Sequence, residues 1–323
     1  MRVWLSTFPR AGLTQVIGRA AEDAGFHGLM LTDSQVLAPD SFVELTAVAE
    51  ATTTLRLGTC ATNVLTRHPT VVAGMAMTLQ GRSAGRMSIG IARGDSAVTK
   101  VGLHPLPPEA FGAALAQMRQ LLRGESIEME GVPVSLTWLD PALSPPAVIG
   151  VASGPHAIDE AARNADGLII QVGSDPVAIR HSVDRARAEQ ARDDFTIAVY
   201  VIVGLERDGS APSIEGVTPV LARMATETLA EGDSRQARAS AAAARSYSVT
   251  THGLASAAEG QSDIDDYAVR GTSRECLDAL REIADTGCDE LVVILDSMTT
   301  APAEVVELVS AFGRELMHEI TEW

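Results

Sequence analysis

Short apolar runs alternate with longer amphipathic segments along most of the chain. The apolar runs are rich in β-branched residues and end in polar ones, which is typical of buried parallel strands. The segments between them repeat apolar residues every three to four positions, which indicates helices with one buried face. The predicted strands are 3–8, 28–32, 55–62, 87–92, 147–152, 166–172, 196–205 and 290–295. Their alternation with helices predicts a parallel sheet covered by helices.

The order of these elements favours a single (β/α)8 TIM barrel with insertions over an open, doubly wound sheet, which is the alternative. We expect one domain over residues 1–323. The predicted insertions are at about 96–108, 124–146 and 206–265. Within the second, alternating apolar residues around Gly131 predict a β-hairpin in 127–139. The third contains two helical patches, 217–229 and 234–245, and a small, polar stretch at 246–260.

Composition and charge narrow the classes of function. The net charge of −17 argues against binding to nucleic acid or to an anionic membrane surface, since both attract basic proteins. The three cysteines form neither an even set nor a CxxC pair, so we expect no disulfide and no metal site. The chain enters its first strand without a leader-like segment and has no run of 18 apolar residues, so we expect a soluble, cytoplasmic protein.

Polar residues follow several predicted strands, at the edge of a parallel sheet where ligands bind. Asp33 follows the second strand, and Thr62 and Asn63 end the third. The fourth strand is followed by the run Arg93, Gly94, Asp95 and Ser96. Asp33 and Asp95 are the candidate catalytic carboxylates, because such groups can transfer protons or accept hydrogen bonds from a cofactor ring. The alternative for both is the capping of the next helix.

A second candidate region lies between the fifth strand and its helix. It consists of Ala152, Ser153, Gly154, Pro155 and His156. A flexible glycine and exposed N–H groups at a helix N-terminus together predict a phosphate site. The alternative is an ordinary strand-to-helix turn, with His156 in solvent.

Other charged residues near the carboxyl ends of the predicted strands, where the mouth of the barrel is expected, are weaker candidates. Arg67 can meet an anionic group, whereas His68, just before Pro69, can simply cap its helix. Arg93 and Lys100 flank the acidic turn and can contact an anionic group such as a phosphate, or lie in solvent. The sequence contains no HExxH, GxSxG or GxxxxGK[ST] motif, so three common catalytic schemes have no support.

Several segments resemble one known family. They are TCATN, TRHP, ARGDSAVTKVGLHP, ASGPHAIDEAARNADGLIIQVG and AVRGTSRECLDALREIADTGCDELVVIL, which together span most of the chain. The chain resembles the bacterial luciferase-like family of flavin and deazaflavin enzymes. Within that family it is most similar to the branch that contains methylenetetrahydromethanopterin reductase and other users of coenzyme F420.

The resemblance implies specific roles for residues of the mouth. It places a non-prolyl cis peptide between Cys60 and Ala61, in a bulge that, with Thr62 and Asn63, supports the cofactor ring; the alternative is an ordinary strand end with a buried cysteine. It places the cofactor phosphate at Ser153 and Gly154, the centre of the region from Ala152 to His156, and assigns Arg93, Gly94 and Ser96 to cofactor binding. Many enzymes of the branch carry a histidine after the residue matching Asp33. The serine at position 34 departs from that pattern and weakens a histidine-based proton transfer.

The resemblance therefore implies an F420-dependent oxidoreductase that transfers a hydride to or from a small organic substrate. One alternative is a monooxygenase that uses reduced FMN and oxygen and draws its flavin from a separate flavin reductase. A second is a cofactor-free binding homologue. We expect the substrate to contact Ser6, Phe8, Trp138 and 246–260. The family also implies a homodimer, whose interface the apolar segments 41–51 and 71–79 can supply.

Overall fold

The structure is a computed structural model, and it describes residues 1–207, 267–298 and 300–323. Of the predicted insertion at 206–265, the structure describes only residues 206 and 207. The helical patches and the polar stretch predicted within it lie outside the described residues. Among the described residues, no helix is both long enough and apolar enough to cross a bilayer.

Parallel strands form the centre of the fold, and a separate hairpin lies outside it. The strands are β1 (Arg2–Thr7), β2 (Gly28–Leu31), β3 (Arg56–Thr59), β4 (Met87–Ala92), β5 (Ile127–Met129), β6 (Val132–Val134), β7 (Ala147–Ala152), β8 (Gly167–Ile170), β9 (Thr196–Leu205), β10 (Ala268–Gly271) and β11 (Glu290–Ile294). β5 and β6 pair antiparallel around Gly131, whose φ is +79°, as the sequence predicts.

Helices follow the strands and form the outer layer. They are α1 (Thr14–Asp23), α2 (Ser41–Ala51), α3 (Pro69–Arg82), α4 (Ser96–Thr99), α5 (Pro108–Leu122), α6 (Pro155–Asn164), α7 (Pro176–Glu189), α8 (Ser273–Ala284), α9 (Pro302–Phe312) and α10 (His318–Thr321), with a π-helical turn at Gly313–Met317. Local signals set several of these bounds. The Asp40 carboxylate accepts from the N–H groups of Phe42 and Val43 at the start of α2, and Thr272 and Glu275 form a capping box at α8.

The main sheet closes into a barrel. Its strand order is β10-β9-β11-β1-β2-β3-β4-β7-β8, and β8 also pairs with β9, which closes the ring. The pairings are parallel. Arg2 lies opposite Glu290 between β1 and β11, and Gly167 lies opposite Thr196 between β8 and β9. The predicted eight-stranded TIM barrel is therefore confirmed, and the open sheet is excluded.

β10 is a strand that the sequence pattern did not predict. β9 is ten residues long, so β8 occupies only its first part, and β10 pairs with its last four residues, from Ile202 to Leu205. The segment Ala268–Gly271 is short and carries Arg270, so its hydrophobic pattern is too weak to indicate a strand.

The strands contribute alternate side chains to two separate sets of buried residues. The larger set packs between the strands and the helices, and includes Ile197, Val199 and Val201 of β9. The smaller set fills the inside of the barrel and includes Ala198 and Tyr200, because successive side chains of a strand point to opposite faces. Both faces of β9 are thus buried, which explains its continuous apolar run.

Candidate active site

The segment after β3 forms one wall of the mouth at the carboxyl ends of the strands. The peptide bond between Cys60 and Ala61 is cis, as the family resemblance implies. Beyond it, the Thr62 N–H donates to the Gly90 carbonyl at 2.9 Å, and the Thr62 carbonyl accepts from the Ala92 N–H at 2.9 Å. The chain therefore continues beside β4 after the bulge, and the predicted residues 60–63 do lie at the mouth. Asn63 is buried and its side chain accepts from the backbone of the following turn.

Asp33 is buried at the same mouth and bound by two partners. Its carboxylate accepts from the Thr62 hydroxyl at 2.6 Å and pairs with the Arg67 guanidinium. Arg67 also donates to Asp40 at 2.8 Å and lies over the Phe42 ring, 5.6 Å from its centroid. The ion pair with Arg67 compensates for the burial of the Asp33 carboxyl group, which in turn positions Arg67 and the wall formed by residues 60–63.

The loop after β2 is tied to the loop after β4. The Ser34 hydroxyl lies 3.2 Å from the Ser96 hydroxyl, and the Gln35 amide donates to the Ala97 carbonyl at 2.8 Å. Gly94 has a φ of +104°, and a Cβ there would meet the Val98 side chain at 2.5 Å, so only glycine fits this turn. Ser34 therefore contacts Ser96, which is the first residue of α4.

Asp95 precedes α4 without capping it through its side chain. Its backbone carbonyl accepts from the N–H groups of Val98 and Thr99, while its side chain makes no capping hydrogen bond. The structure therefore does not support the alternative in which the Asp95 side chain caps α4. Arg93 donates from Nε to the Leu106 carbonyl and accepts from the Leu106 N–H through its own carbonyl, so it braces the loop that follows α4.

The start of α6 lies at the same edge of the barrel, directly after β7. Gly154 is its N-cap, Pro155 is its first residue, and no side chain caps it. The first N–H groups of a helix have no partner within the helix, so this end offers donors and a positive dipole to an anion. Ala152 is buried beneath it, Ser153 is half-buried, and His156 is exposed.

The floor of the mouth consists of buried, uncharged groups. Ser6 is fully buried near Tyr200, and among the described residues its hydroxyl has no hydrogen-bond partner. Burial raises the pKa of Tyr200 well above its usual range, and the neighbouring Cys60 and Asp296 add to the effect. Burial also raises the pKa of the Cys60 thiol to about 12, so the thiol is neutral at pH 7. Phe8 packs against this floor from the end of β1.

Asp296 is a residue of the mouth that the sequence analysis missed. Its carboxylate accepts from the Thr7 hydroxyl at 3.0 and 3.1 Å and from the Arg10 guanidinium at 2.8 Å. Burial raises its pKa to about 6, against the opposing effect of Arg10 and Thr7. The signal was available, since Asp296 follows the apolar run of β11 just as Asp33 follows β2. A carboxyl group with a pKa near neutrality can accept or donate a proton.

Trp138 is not at the mouth, contrary to the expectation that it contacts the substrate. It lies in the connection from α5 to β7, beside Gly74 of α3 in the outer layer, and 56% of it is exposed. A connection from a helix to the following strand runs at the amino ends of the strands, opposite the strand-to-helix loops. His68 caps α3, since its Nδ1 accepts from the Thr70 N–H, which favours the structural alternative for this residue.

Among the described residues, no group of three His, Cys, Asp or Glu side chains is arranged to hold a metal ion. The described groups of the mouth that can take part in chemistry include its carboxyl groups, its hydroxyl groups and the N-terminus of α6.

Known proteins resemble this chain in sequence and in fold. Residues 9–290 match the family described as luciferase-like monooxygenases. The chain is 25% identical to the 5,10-methylenetetrahydromethanopterin reductase of Archaeoglobus fulgidus, over 85% of this chain and 86% of that protein. It is 30% identical to the F420-dependent glucose-6-phosphate dehydrogenase of Microbacterium testaceum, over 59% of this chain and 63% of that protein.

Among solved structures, the coenzyme F420 dependent tetrahydromethanopterin reductase from Methanopyrus kandleri has the same fold. Its TM-score is 0.75 at 21% identity, over 98% of this chain and 99% of that one. The mouth described above is thus built on the barrel that the sequence resemblance implies. Since the family match spans most of the chain, the protein belongs to the luciferase-like monooxygenase family, a family of oxidoreductases.

Proposed function

We propose that the protein is a coenzyme F420-dependent oxidoreductase that transfers a hydride between the deazaflavin and a small organic substrate. The observation that carries the proposal is the joining of the loops after β2, β3 and β4 into one mouth, through Asp33 with Thr62 and Ser34 with Ser96. The relatives named above that use F420 support the choice of cofactor.

The residues of the mouth fit such a cofactor by size and by donor chemistry. Ala61, just beyond β3, and Ala92, at the end of β4, carry small side chains beside the inside of the barrel, which favours a flat ring system against the wall formed by residues 60–63. The N-terminus of α6, which no side chain caps, offers N–H donors to a phosphate, and Ser153 lies directly before it. Gly94 and Ser96 shape the opposite turn, and Asn63 holds the turn after the wall.

Residues of the chain supply proton transfer, positioning and substrate contacts. When bound, the deazaflavin supplies or accepts the hydride. We assign Asp95 to proton transfer at the substrate or to a hydrogen bond with the cofactor ring, since its side chain does not cap α4. We assign Asp33 a positioning role, because its oxygens accept hydrogen bonds from Thr62 and Arg67. Ser6 and Phe8 belong to the part of the mouth that the substrate faces.

A flavin-dependent monooxygenase is the second candidate, and the description of the matched family favours it. FMN also carries a ribityl phosphate, so the α6 N-terminus would serve both cofactors. That enzyme would need reduced flavin from a separate reductase.

We also propose that the protein is a homodimer. Val43 of α2 and Val71 of α3 are 67% and 50% exposed, on the two helices that the family resemblance assigns to the interface. Sedimentation equilibrium tests this directly, and a monomeric mass at micromolar concentration would contradict it.

The experiment that tests the cofactor is a titration of the protein with coenzyme F420 and, separately, with FMN, each followed by quenching of cofactor fluorescence. Tight binding of F420 with weak binding of FMN supports the proposal. The opposite preference supports the monooxygenase, and binding of neither overturns both.

A charge placed at α6 tests the phosphate site. Gly154→Asp keeps a good N-cap but adds an anion, so we expect at least tenfold weaker cofactor binding. Ala301→Asp is the matched control, because Ala301 is the N-cap of α9 and likewise makes no side-chain cap. Equal effects of the two variants would contradict a phosphate site at α6.

A further inference from the structure

A second cavity opens at the amino ends of the barrel strands, opposite the candidate active site. Its volume is about 280 Å³, and the residues around its opening include Arg2, His27, Arg56 and Glu290. From Arg2 to Thr7 the strand β1 spans five steps of roughly 3.3 Å, so about 16 Å of barrel separates the two ends. This cavity is therefore distinct from the site at the carboxyl ends.

The rim of the cavity carries excess positive charge. Arg2 pairs with Glu290 at 2.7 Å, and the Trp4 indole N–H donates to the other oxygen of Glu290 at 2.6 Å. Arg56 acts on both His27 and Glu290 through its charge, yet within the described part of the chain its guanidinium makes no hydrogen bond and no ion pair. Two guanidinium groups thus face one carboxylate, and of the two only that of Arg2 is in direct contact with it.

The neighbouring titratable groups do not cancel this charge. Burial, together with Arg2 and Arg56, lowers the pKa of His27 to about 4, so its ring is neutral at pH 7 and its edge contacts Trp4. Asp289, next to Glu290, is occupied by Arg187 at 2.6 Å. The rim therefore keeps one positive charge in a chain whose net charge is −17.

Apolar side chains form one part of the cavity, while Ser88 and Thr196 add hydroxyl groups to its lining. Met30, Ile149, Ile169 and Ala198 line it, and the Trp4 ring forms part of one wall. Its volume is about nine times the roughly 30 Å³ that a water molecule occupies in the liquid, so it exceeds the size of a simple inorganic ion. Binding sites for organic molecules commonly combine apolar side chains with a few polar groups.

We propose that this cavity binds a small organic anion, with a carboxylate held by Arg56 and Arg2 and an apolar body against Met30, Ile169 and Trp4. A guanidinium pairs with a carboxylate through two parallel hydrogen bonds, which Arg56 has free to donate in the described structure. The apolar side chains of the lining then contact the rest of the molecule. This site is independent of the proposed cofactor and of the reaction at the other mouth.

The test uses phenylacetate as the probe and phenylacetamide as its neutral counterpart. Trp4 reports on the cavity, and the substitutions Trp138→Phe and Trp323→Phe leave it as the single tryptophan of the chain. At constant ionic strength, we expect a saturable change in Trp4 fluorescence with phenylacetate. We expect at least tenfold weaker binding of phenylacetamide. No saturable change, or equal binding of the two probes, would overturn the proposal.

Two variants in the same background locate the anion. Arg56→Gln should weaken phenylacetate binding at least tenfold, whereas Arg56→Lys, which keeps the charge, should retain much of it. Arg82→Gln is the control, since Arg82 pairs with Glu50 on the outer surface. Binding that is indifferent to Arg56→Gln, or that is abolished by saturating F420 or FMN, would place the probe elsewhere and overturn the proposal.

Discussion

The carboxylate of Asp33 accepts a hydrogen bond from the Thr62 hydroxyl at 2.6 Å and so ties the end of β2 to the wall after β3. The pair is buried, and Arg67 supplies the charge that balances it. The shape of the mouth therefore depends on an ion pair between residues 34 positions apart in the chain.

Removing Arg67 should be costly. Arg67→Ala leaves Asp33 buried without its counter-charge, and we expect the free energy of unfolding to fall by about 3 kcal/mol or more. Urea denaturation measures this. The control is Arg82→Ala, where both partners are about half exposed and the expected loss is below about 1 kcal/mol. Adding Asp33→Asn to Arg67→Ala should recover part of the loss, and no recovery would contradict the role given to Asp33.

Asp296 should give the stability a distinct dependence on pH. Its pKa is raised from 3.8 to about 6 in the folded protein, so between these values the folded state binds more protons than the unfolded state. The free energy of unfolding should therefore decrease as the pH rises from about 4 to 6, by up to about 3 kcal/mol from this group. Asp296→Asn should remove that slope. Parallel pH profiles for the two proteins would show that Asp296 titrates normally.

Two glycines should respond to alanine in opposite directions. A Cβ on Gly90 would lie 2.0 Å from the Thr59 carbonyl oxygen, between β3 and β4, so Gly90→Ala should destabilise the protein by about 3 kcal/mol. A Cβ on Gly74 would meet nothing nearer than Trp138, at 4.0 Å. Gly74→Ala should stabilise α3 by about 0.5–1 kcal/mol. Thermal unfolding of both variants checks the pair, and a neutral Gly90→Ala would contradict the close packing of β3 on β4.

The cysteines should be unreactive in the folded protein. Cys60, Cys276 and Cys288 are all buried, and burial raises the pKa of the first two to about 12 and of the third to about 11. Because the thiolate is the reactive form, iodoacetamide at pH 8 should modify the native protein very slowly. Mass spectrometry should show three adducts after unfolding in guanidinium chloride. Rapid modification before unfolding would mean that at least one thiol is accessible.

The hydrophobic pattern located most elements but not every boundary. β4, β7 and β9 match their predicted ranges, because each is a mostly apolar run that is followed directly by a polar residue. The predicted third strand runs three residues too far, since the bulge at Cys60 ends its pairing at Thr59. Trp138 was misplaced because an aromatic residue near a turn does not reveal on which end of the barrel the turn lies.

The sequence by itself determined the alternation of strands and helices, and therefore which polar residues follow which strand, because that pattern depends on neighbours in the chain. Only the tertiary structure decided which of them meet. The Thr7 hydroxyl bonds to Asp296, 289 positions away, because closing the barrel brings β1 beside β11. The same closure joins Arg2 to Glu290 and leaves Arg56 beside them at the opposite end. Contacts of this kind depend on the three-dimensional register of strands, which no local pattern encodes.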